Sequence, residues 1–132
     1  MEEKILILDT CFIFDAFKNK EYAIKKLTKM IENNIKLKVT SVSVAEIISG
    51  LSRNEKHKIR ANKFFSNLEI LDLNLESAYL AGEIDGTLIK LGQQIDFPDC
   101  LIAGITITNN ETLLTKNIKH FERINNLKIE SY

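Results

Sequence analysis

Residues 5–10 read Ile-Leu-Ile-Leu-Asp-Thr, an apolar run that stops at one acid. Four apolar residues in succession bury both faces of a strand, which is typical of the centre of a parallel sheet. With Lys4 before the run, we predict a first strand over residues 4–8, and Asp9 stands at its carboxyl end. In open parallel sheets, ligands bind just outside that end of the strands.

Further strand-like runs alternate with amphipathic segments along the rest of the chain. The pattern predicts strands at 37–40, 69–73, 112–114 and 127–130, and helices at 11–18, 21–32, 43–51, 54–66, 75–91, 98–108 and 118–123. Pro98 falls in a first helical turn, where its missing N–H costs nothing, and Gly92 is placed to end the preceding helix. This alternation indicates an α/β domain with a mainly parallel sheet.

Length, composition and cysteine usage limit the class of protein. The chain has 132 residues and is 45% hydrophobic, which suits one domain over residues 1–132 with a core of its own. Cys11 and Cys100 are far apart and form no disulfide framework, as is typical of a reducing compartment. The first apolar run is far shorter than the roughly 20 residues of a membrane span, and no signal peptide is visible. We therefore expect a cytoplasmic protein.

The formal net charge is zero, but the charges are unevenly distributed. Residues 18–63 carry twelve bases and four acids, whereas residues 69–111 carry eight acids and one base. One half could therefore steer an anionic polymer while the other holds a cation. Ordinary solvated helix faces would give the same distribution, so charge alone does not decide between these interpretations.

Four acidic or amide side chains from distant parts of the sequence are predicted to meet at one rim of the sheet. Asp9 follows the first strand, and Asn117 follows the fourth. Glu46 and Asp99 lie in the first turns of two helices. Three carboxylates at one rim repel each other, which is costly unless a cation lies among them. Ligation by oxygen alone suits a hard ion such as Mg²⁺ or Mn²⁺.

Helix capping offers a structural interpretation of two of these residues. Asp9 could cap the first helix, although Thr10 is itself a competent cap. Ser43 and Glu46 match the S-x-x-E capping box, in which the glutamate bonds back to the N–H of the cap residue. Taken alone, each residue has a structural explanation as well as a functional one.

The same alternative applies to the other two residues. Asp96 has the spacing of an N-cap, which leaves Asp99 as an acid in a first turn, where the helix dipole favours it. Asn117 is a suitable N-cap for the helix at 118–123. The metal hypothesis therefore depends on the convergence of three carboxylates and not on any one of them.

Other kinds of site are disfavoured. His57 and His120 lie in charged stretches without a Cys or His partner at zinc-ligand spacing, so we predict that both are surface residues. No histidine adjoins Cys11 or Cys100, so we predict that both cysteines are buried packing residues and not nucleophiles. The P-loop, dinucleotide-binding and serine-hydrolase motifs are absent from the sequence.

Four segments carry these residues: Ile5-Leu-Ile-Leu-Asp9-Thr, Ser43-Val-Ala-Glu46-Ile, Asp99-Cys-Leu-Ile-Ala103-Gly and Leu114-Thr-Lys-Asn117-Ile-Lys-His-Phe121. Together they closely resemble the PIN-domain ribonucleases, and among these the VapC-type toxins of prokaryotic toxin–antitoxin pairs. The resemblance extends over residues 4–129. It implies a PIN-like three-layer fold, with a five-stranded parallel sheet between helices, and a metal-dependent endoribonuclease. It also implies a homodimer and inhibition by a cognate antitoxin.

By this resemblance, Asp9 and Asp99 are direct ligands of Mg²⁺ or Mn²⁺, and Glu46 is a ligand directly or through water. Asn117 stands where many members carry a fourth acid. Its amide can bind a metal or orient a water but adds no negative charge, which leaves a second metal site open. The ion would make hydroxide available near neutral pH and offset charge on the phosphate. Candidates for holding that phosphate are Lys116, Arg123 and the basic segment 53–63.

Two other functions share some of these features. A catalytically degenerate PIN domain that acts as an RNA- or protein-binding scaffold is kept open by Asn117. A phosphotransfer domain or haloacid-type phosphatase would need a further acid close to Asp9, where Thr10 and Cys11 stand. We therefore predict an endoribonuclease that hydrolyses RNA phosphodiester bonds and is the toxin of a toxin–antitoxin module.

Overall fold

The apolar run of residues 5–8 lies at the centre of the sheet. The structure is a computed structural model that describes residues 3–132. Its strands, β1 to β5 in chain order, are Ile5–Leu8, Lys36–Thr40, Glu69–Leu71, Thr112–Leu114 and Lys128–Glu130. They form one sheet in the order β3-β2-β1-β4-β5, and every neighbouring pair is parallel. The predicted α/β fold with a five-stranded parallel sheet is confirmed.

Seven helices connect and cover these strands in the described part of the chain. In chain order, α1 to α7 are Thr10–Phe17, Glu21–Glu32, Ser41–Leu51, Glu55–Phe65, Leu75–Lys90, Phe97–Thr108 and Ile118–Phe121. The largest differences from prediction are the earlier start of α3, the end of β3 at Leu71 and the end of α7 at Phe121. As predicted, Gly92 follows α5 in the left-handed conformation, with φ of 67°.

One predicted helix cap is wrong. The N-cap of α3 is Thr40, whose Oγ1 accepts the backbone N–H of Ser43 at 3.0 Å. Ser43 therefore lies inside the helix, and the predicted capping box of Ser43 and Glu46 does not form. The N-cap of α1 is Asp9, one of the two alternatives that the sequence left open. The local pattern misplaced the start of α3 because this helix begins directly after β2, with no loop residue between them.

The two faces of β1 lie in two separate cores. Leu6 and Leu8 pack with Phe12 in a cluster that includes residues of α1 to α4. Ile7, on the opposite face, packs with Ile102 and residues of α5 to α7. Burial of each such side chain contributes roughly 1.5–3 kcal/mol. The result is a three-layer arrangement in which the sheet lies between two groups of helices. Within residues 3–132, no helix is both long and apolar enough to cross a bilayer.

Helices α5 and α6 approach each other closely at Gly104. A Cβ atom built on Gly104 would lie 2.6 Å from the carbonyl oxygen of Ser77 and 3.1 Å from Cβ of Ala81. Both neighbours belong to α5 and are buried, so they have little freedom to move away. Glycine at position 104 therefore sets the distance between two helices of the second core.

We predict that Gly104→Ala lowers the free energy of unfolding by about 1–3 kcal/mol, because the added methyl group overpacks the helix contact. Gly82→Ala is a matched control, since a Cβ there meets no atom within 4 Å. Gly82 lies within α5 and is exposed, so its replacement should raise stability by up to about 1 kcal/mol. Urea unfolding followed by circular dichroism measures both changes. Equal effects of the two substitutions would contradict the proposed close contact.

Candidate active site at the carboxyl end of the sheet

Asp9 lies at the end of β1 among hydrogen-bond donors. Its side chain is buried, with Oδ1 accepting the N–H of Thr10 at 2.9 Å. Its Oδ2 accepts the hydroxyl of Thr115 at 2.7 Å and the thiol of Cys11 at 3.2 Å. Burial raises the pKa of Asp9, and the hydrogen bonds from Thr115, Cys11 and Thr10 offset that rise only in part. The carboxylate is therefore fixed in position, and its charge is poorly solvated.

Glu46 is held by a contact between helices. Its Oε1 accepts the hydroxyl of Thr10 at 2.8 Å, and the same hydroxyl oxygen lies 2.8 Å from Oγ of Ser43. Thr10 follows Asp9 directly, so one short segment orients two of the three predicted carboxylates. This contact replaces the capping role that the sequence pattern suggested for Glu46.

Asp99 lies in the first turn of α6 and is half-buried. Among residues 3–132, we find no hydrogen bond to its carboxylate. Burial, followed by the charges of Asp9, Glu46 and Asp96, raises its pKa to about 7. The charges of Asp9 and Glu46 therefore act on Asp99, although the three residues come from three separate segments. Asp96 occupies the predicted N-cap position, but its side chain forms no capping hydrogen bond.

No basic side chain compensates this negative charge. Within the described residues, none of the salt bridges involves Asp9, Glu46 or Asp99. The same residues contain no group of three His, Cys, Asp or Glu side chains that could hold a metal ion. The carboxylates therefore interact across the site without forming a complete coordination shell. This arrangement still suits Mg²⁺, which often keeps several waters and takes only one or two protein carboxylates.

Asn117 lies next to this group without acting as a side-chain cap. It occupies the N-cap position of α7, but its amide makes no capping hydrogen bond. Its backbone N–H donates to Oγ1 of Thr115 at 3.0 Å, the same hydroxyl that donates to Asp9. No role for Thr115 was predicted from the sequence. Its position directly after β4, the neighbour of β1 in the sheet, is the feature of the sequence that could have indicated this role.

Lys116 is engaged by a buried acid that the sequence analysis did not single out. Its Nζ lies 2.8 Å from Oδ2 of Asp15, which also accepts the hydroxyl groups of Tyr132 at 2.9 Å and Tyr22 at 3.3 Å. Burial alone would raise the pKa of Asp15, but these hydrogen bonds and the charge of Lys116 lower it below its usual value. Asp15 is an isolated acid within the apolar sequence of α1, and this feature of the sequence could have identified it.

Three further residues discussed in the sequence analysis are Arg123, His57 and His120. The Arg123 guanidinium donates to the carbonyl oxygens of Gln93 and Gln94, which precede α6. His57 and His120 are exposed, as predicted. Their side chains are therefore available to solvent.

The two cysteines differ from each other. Cys100 is fully buried, as predicted, and burial together with the charges of Asp85 and Asp99 raises its pKa to about 11. Cys11 is only half-buried and donates to Asp9, so the prediction that it is merely a packing residue is wrong. Burial and the Asp9 charge raise the pKa of Cys11, which disfavours the nucleophilic thiolate.

Sequence comparisons identify relatives over most of the chain. The PIN domain family model matches residues 6–127. Ribonuclease VapC2 of Rickettsia felis is 36% identical over 121 residues, which cover 84% of this chain and 90% of the relative. The tRNA(fMet)-specific endonuclease VapC of Salmonella typhimurium is 28% identical over 129 residues, with 96% of both chains covered.

Solved structures give the same relationship. The chain matches VapBC2 from Rickettsia felis, crystallised with a DNA fragment from its promoter, with a TM-score of 0.85 and 31% identity over 97% of this chain and 98% of the other. It matches DNA-bound VapBC from Salmonella typhimurium with a TM-score of 0.84 and 30% identity over 98% of both chains.

The crowded carboxylates predict an unusual dependence of stability on pH. The pKa of Asp99 is about 7 in the folded state and about 3.9 when unfolded. The folded state therefore binds this proton more tightly, and the contribution of Asp99 lowers stability as pH rises from about 4 to about 7. In chelator-treated protein, we predict that Asp99→Asn raises the melting temperature by a few degrees at pH 8 and has little effect at pH 4. Calorimetry measures both; a lower melting temperature at pH 8 would contradict the prediction.

Proposed function

We propose that the acidic rim of this chain, formed by Asp9, Glu46 and Asp99, hydrolyses RNA phosphodiester bonds. The premise is that the chain belongs to the PIN-domain family and has VapC ribonucleases among its relatives. The observation that carries the proposal is the carboxylate of Asp99, which lies in the field of Asp9 and Glu46 with no basic side chain paired to any of the three in the described residues. Such a cluster is stabilised when a cation enters.

The proposed cofactor is Mg²⁺ or Mn²⁺, held by Asp9 and Asp99, with Glu46 acting directly or through water. The donors are all hard oxygen atoms, which these ions prefer. Cys11 is a soft donor beside Asp9, and its raised pKa keeps it protonated and poorly suited as a ligand. When bound, the ion would lower the pKa of a water molecule and offset charge on the phosphate.

The protein's own side chains would orient the reacting groups. Thr115 and Thr10 hold Asp9, and Thr10 also holds Glu46, so these carboxylates lose little freedom when they act. Asp99 would give up its proton as a cation arrives, because ligand groups must be deprotonated. Asn117, next to Thr115, would orient a water through its amide oxygen. The basic residues of 18–63 would attract the RNA backbone.

The same relationship supports a role in a toxin–antitoxin module. The similar solved structures are VapBC assemblies, and we propose that this chain is likewise a toxin with a cognate antitoxin as its protein partner. A homodimer, a single domain over residues 1–132 and a cytoplasmic location remain predictions. The free thiols of Cys11 and Cys100 suit the reducing conditions of that compartment.

We predict that Asp9→Asn and Asp99→Asn each lower Mn²⁺-stimulated RNA cleavage by roughly 100-fold or more, because loss of a ligand removes several kcal/mol of transition-state stabilisation. Both changes keep side-chain size, so circular dichroism should match the wild type. Glu32→Gln, which replaces an exposed acid at the end of α2, is the control and should retain full activity.

Undiminished cleavage by either Asp variant would rule out the proposed site. Calorimetric titration with Mn²⁺ separates the enzyme from the scaffold alternative. The enzyme should bind the ion, and the two Asp variants should lose that binding. A wild-type chain that binds RNA but neither binds Mn²⁺ nor cuts RNA would be a degenerate PIN domain.

Asn117→Asp tests the missing fourth acid. We predict that it strengthens Mn²⁺ binding several-fold, because a carboxylate adds negative charge where the amide supplies only a dipole. The amide side chain makes no capping hydrogen bond, so its replacement should not weaken α7. Calorimetric titration measures the affinity, and an unchanged or weaker affinity would place Asn117 outside the metal site.

A further inference from the structure

Helices α1 and α3 pack against each other from the acidic rim onward. At the rim, the hydroxyl of Thr10 contacts Oε1 of Glu46 at 2.8 Å. Four residues further along each helix, Phe14 faces Gly50, where an added Cβ would lie 2.8 Å from Cζ of the ring. Residues four apart share one helix face and are separated by about 5.4 Å along the axis. The ring of Phe14 is therefore about one helical turn from Glu46, on the scale of neighbouring nucleotides in RNA.

Beside this contact lies a cavity of about 350 Å³, lined in part by Phe14 and Gly50. Two aromatic rings, Phe14 and Phe17, contribute to its wall, and Lys18 and His57 are the polar side chains there. The remaining lining consists of Gly50 and Leu51, so in the described part of the chain no acid lines the cavity. Its volume falls within the range of small-ligand sites, roughly 300–1,000 Å³.

Cationic groups surround the aromatic rings. Nζ of Lys18 lies 5.9 Å from the centroid of Phe14. The Arg60 guanidinium lies 5.2 Å from the centroid of Phe17 and donates to the carbonyl oxygen of the same residue at 3.3 Å. Aromatic faces beside basic groups are the combination that binds single-stranded nucleic acid, because bases stack on the rings while cations attract phosphates.

We propose that this cavity is a nucleobase subsite, which takes an unpaired base one nucleotide from the phosphodiester bond cut at the acidic rim. The base stacks on Phe14, and Lys18 and His57 contact the adjoining phosphate. Gly50 keeps the cavity open, because a side chain there would push the Phe14 ring into it. The inference rests on the proposed ribonuclease function and adds a determinant of which RNA sequences are cut.

Single-stranded RNA is the occupant favoured by the charge and shape of the cavity. A base in a duplex is stacked and paired, so only an unpaired base can be turned into such a cavity. The basic residues provide complementarity to phosphate, which an apolar peptide would not require. The cavity also lies about one helical turn from Glu46, so an RNA strand can occupy both sites at once.

The test uses the wild-type chain, Phe14→Ala, Phe14→Trp and His57→Ala with Mn²⁺ and a pool of single-stranded RNAs of randomised sequence. Sequencing of the new RNA ends gives the base preference at each position around the cut. We expect Phe14→Ala to abolish the preference at one position adjacent to the cut, and Phe14→Trp to retain a preference there. Tyr79→Ala removes an aromatic side chain that is 70% exposed on α5 and should leave the profile unchanged.

A second measurement uses one favoured RNA and its copy with an abasic nucleotide at the identified position. Loss of stacking should lower kcat/KM roughly 10- to 100-fold for the wild type on the abasic RNA. Phe14→Ala should show a similar loss on the intact RNA and little further loss on the abasic one. His57→Ala changes an exposed residue outside the cores and should raise KM several-fold without changing the melting temperature.

The outcomes separate the subsite from the activity on which it depends. Failure of the wild type to cut either the pool or total cellular RNA would overturn the ribonuclease function and the subsite together, whereas cutting of cellular RNA alone would overturn the subsite. Cleavage with the same base profile in wild type and Phe14→Ala would overturn the subsite alone. Variants that lose binding of a cognate antitoxin but keep the wild-type RNA profile would assign the cavity to protein binding and also overturn it.

Discussion

The burial of the Asp9 carboxylate at the end of β1 is the constraint on which the site depends. β1 is the central strand and is covered on both faces, and Asp9, which follows it directly, is buried as well. A buried carboxylate is costly unless hydrogen bonds satisfy it. The parallel register pairs Leu8 with Leu114, which brings Thr115 beside Asp9. The sheet register thereby selects the residue that stabilises the acid.

The burial of these carboxylates forms the proposed site but opposes folding. Burial raises the pKa of Asp9, and burial together with neighbouring negative charges raises that of Asp99, so these carboxylates oppose folding when they are ionised. The two apolar cores on either side of the sheet supply the stability that tolerates this cost. A cation that binds only the folded state would add stability by mass action. The proposed cofactor would thus relieve the unfavourable interactions that form its own site.

Features that depend on local sequence could be predicted, and features that depend on contacts between distant segments could not. The apolar run before Asp9 predicted the central strand because such a run can only be buried on both faces. The pairing of Asp15 with Lys116 joins positions 101 residues apart, and no periodicity encodes it. The half-buried position of Cys11 likewise follows from its packing near Thr115 and Tyr132. The expectation that Asp9, Glu46 and Asp99 converge rests on the rim that strand ends share in a parallel sheet, and their role as metal ligands stays a prediction.

The charge balance of the rim explains why the basic half of the chain matters to the proposed activity. Asn117 contributes no charge, and the ammonium of Lys116 is already paired with Asp15. Three ionised carboxylates and one divalent ion would leave the rim with a net negative charge, which repels a phosphate at long range. Attraction must then come from elsewhere, and the cavity lined by Lys18 and His57, with Arg60 beside its Phe17 ring, lies about one helical turn from Glu46. Steering by these groups and catalysis at the rim would therefore be separate tasks, carried by oppositely charged parts of one domain.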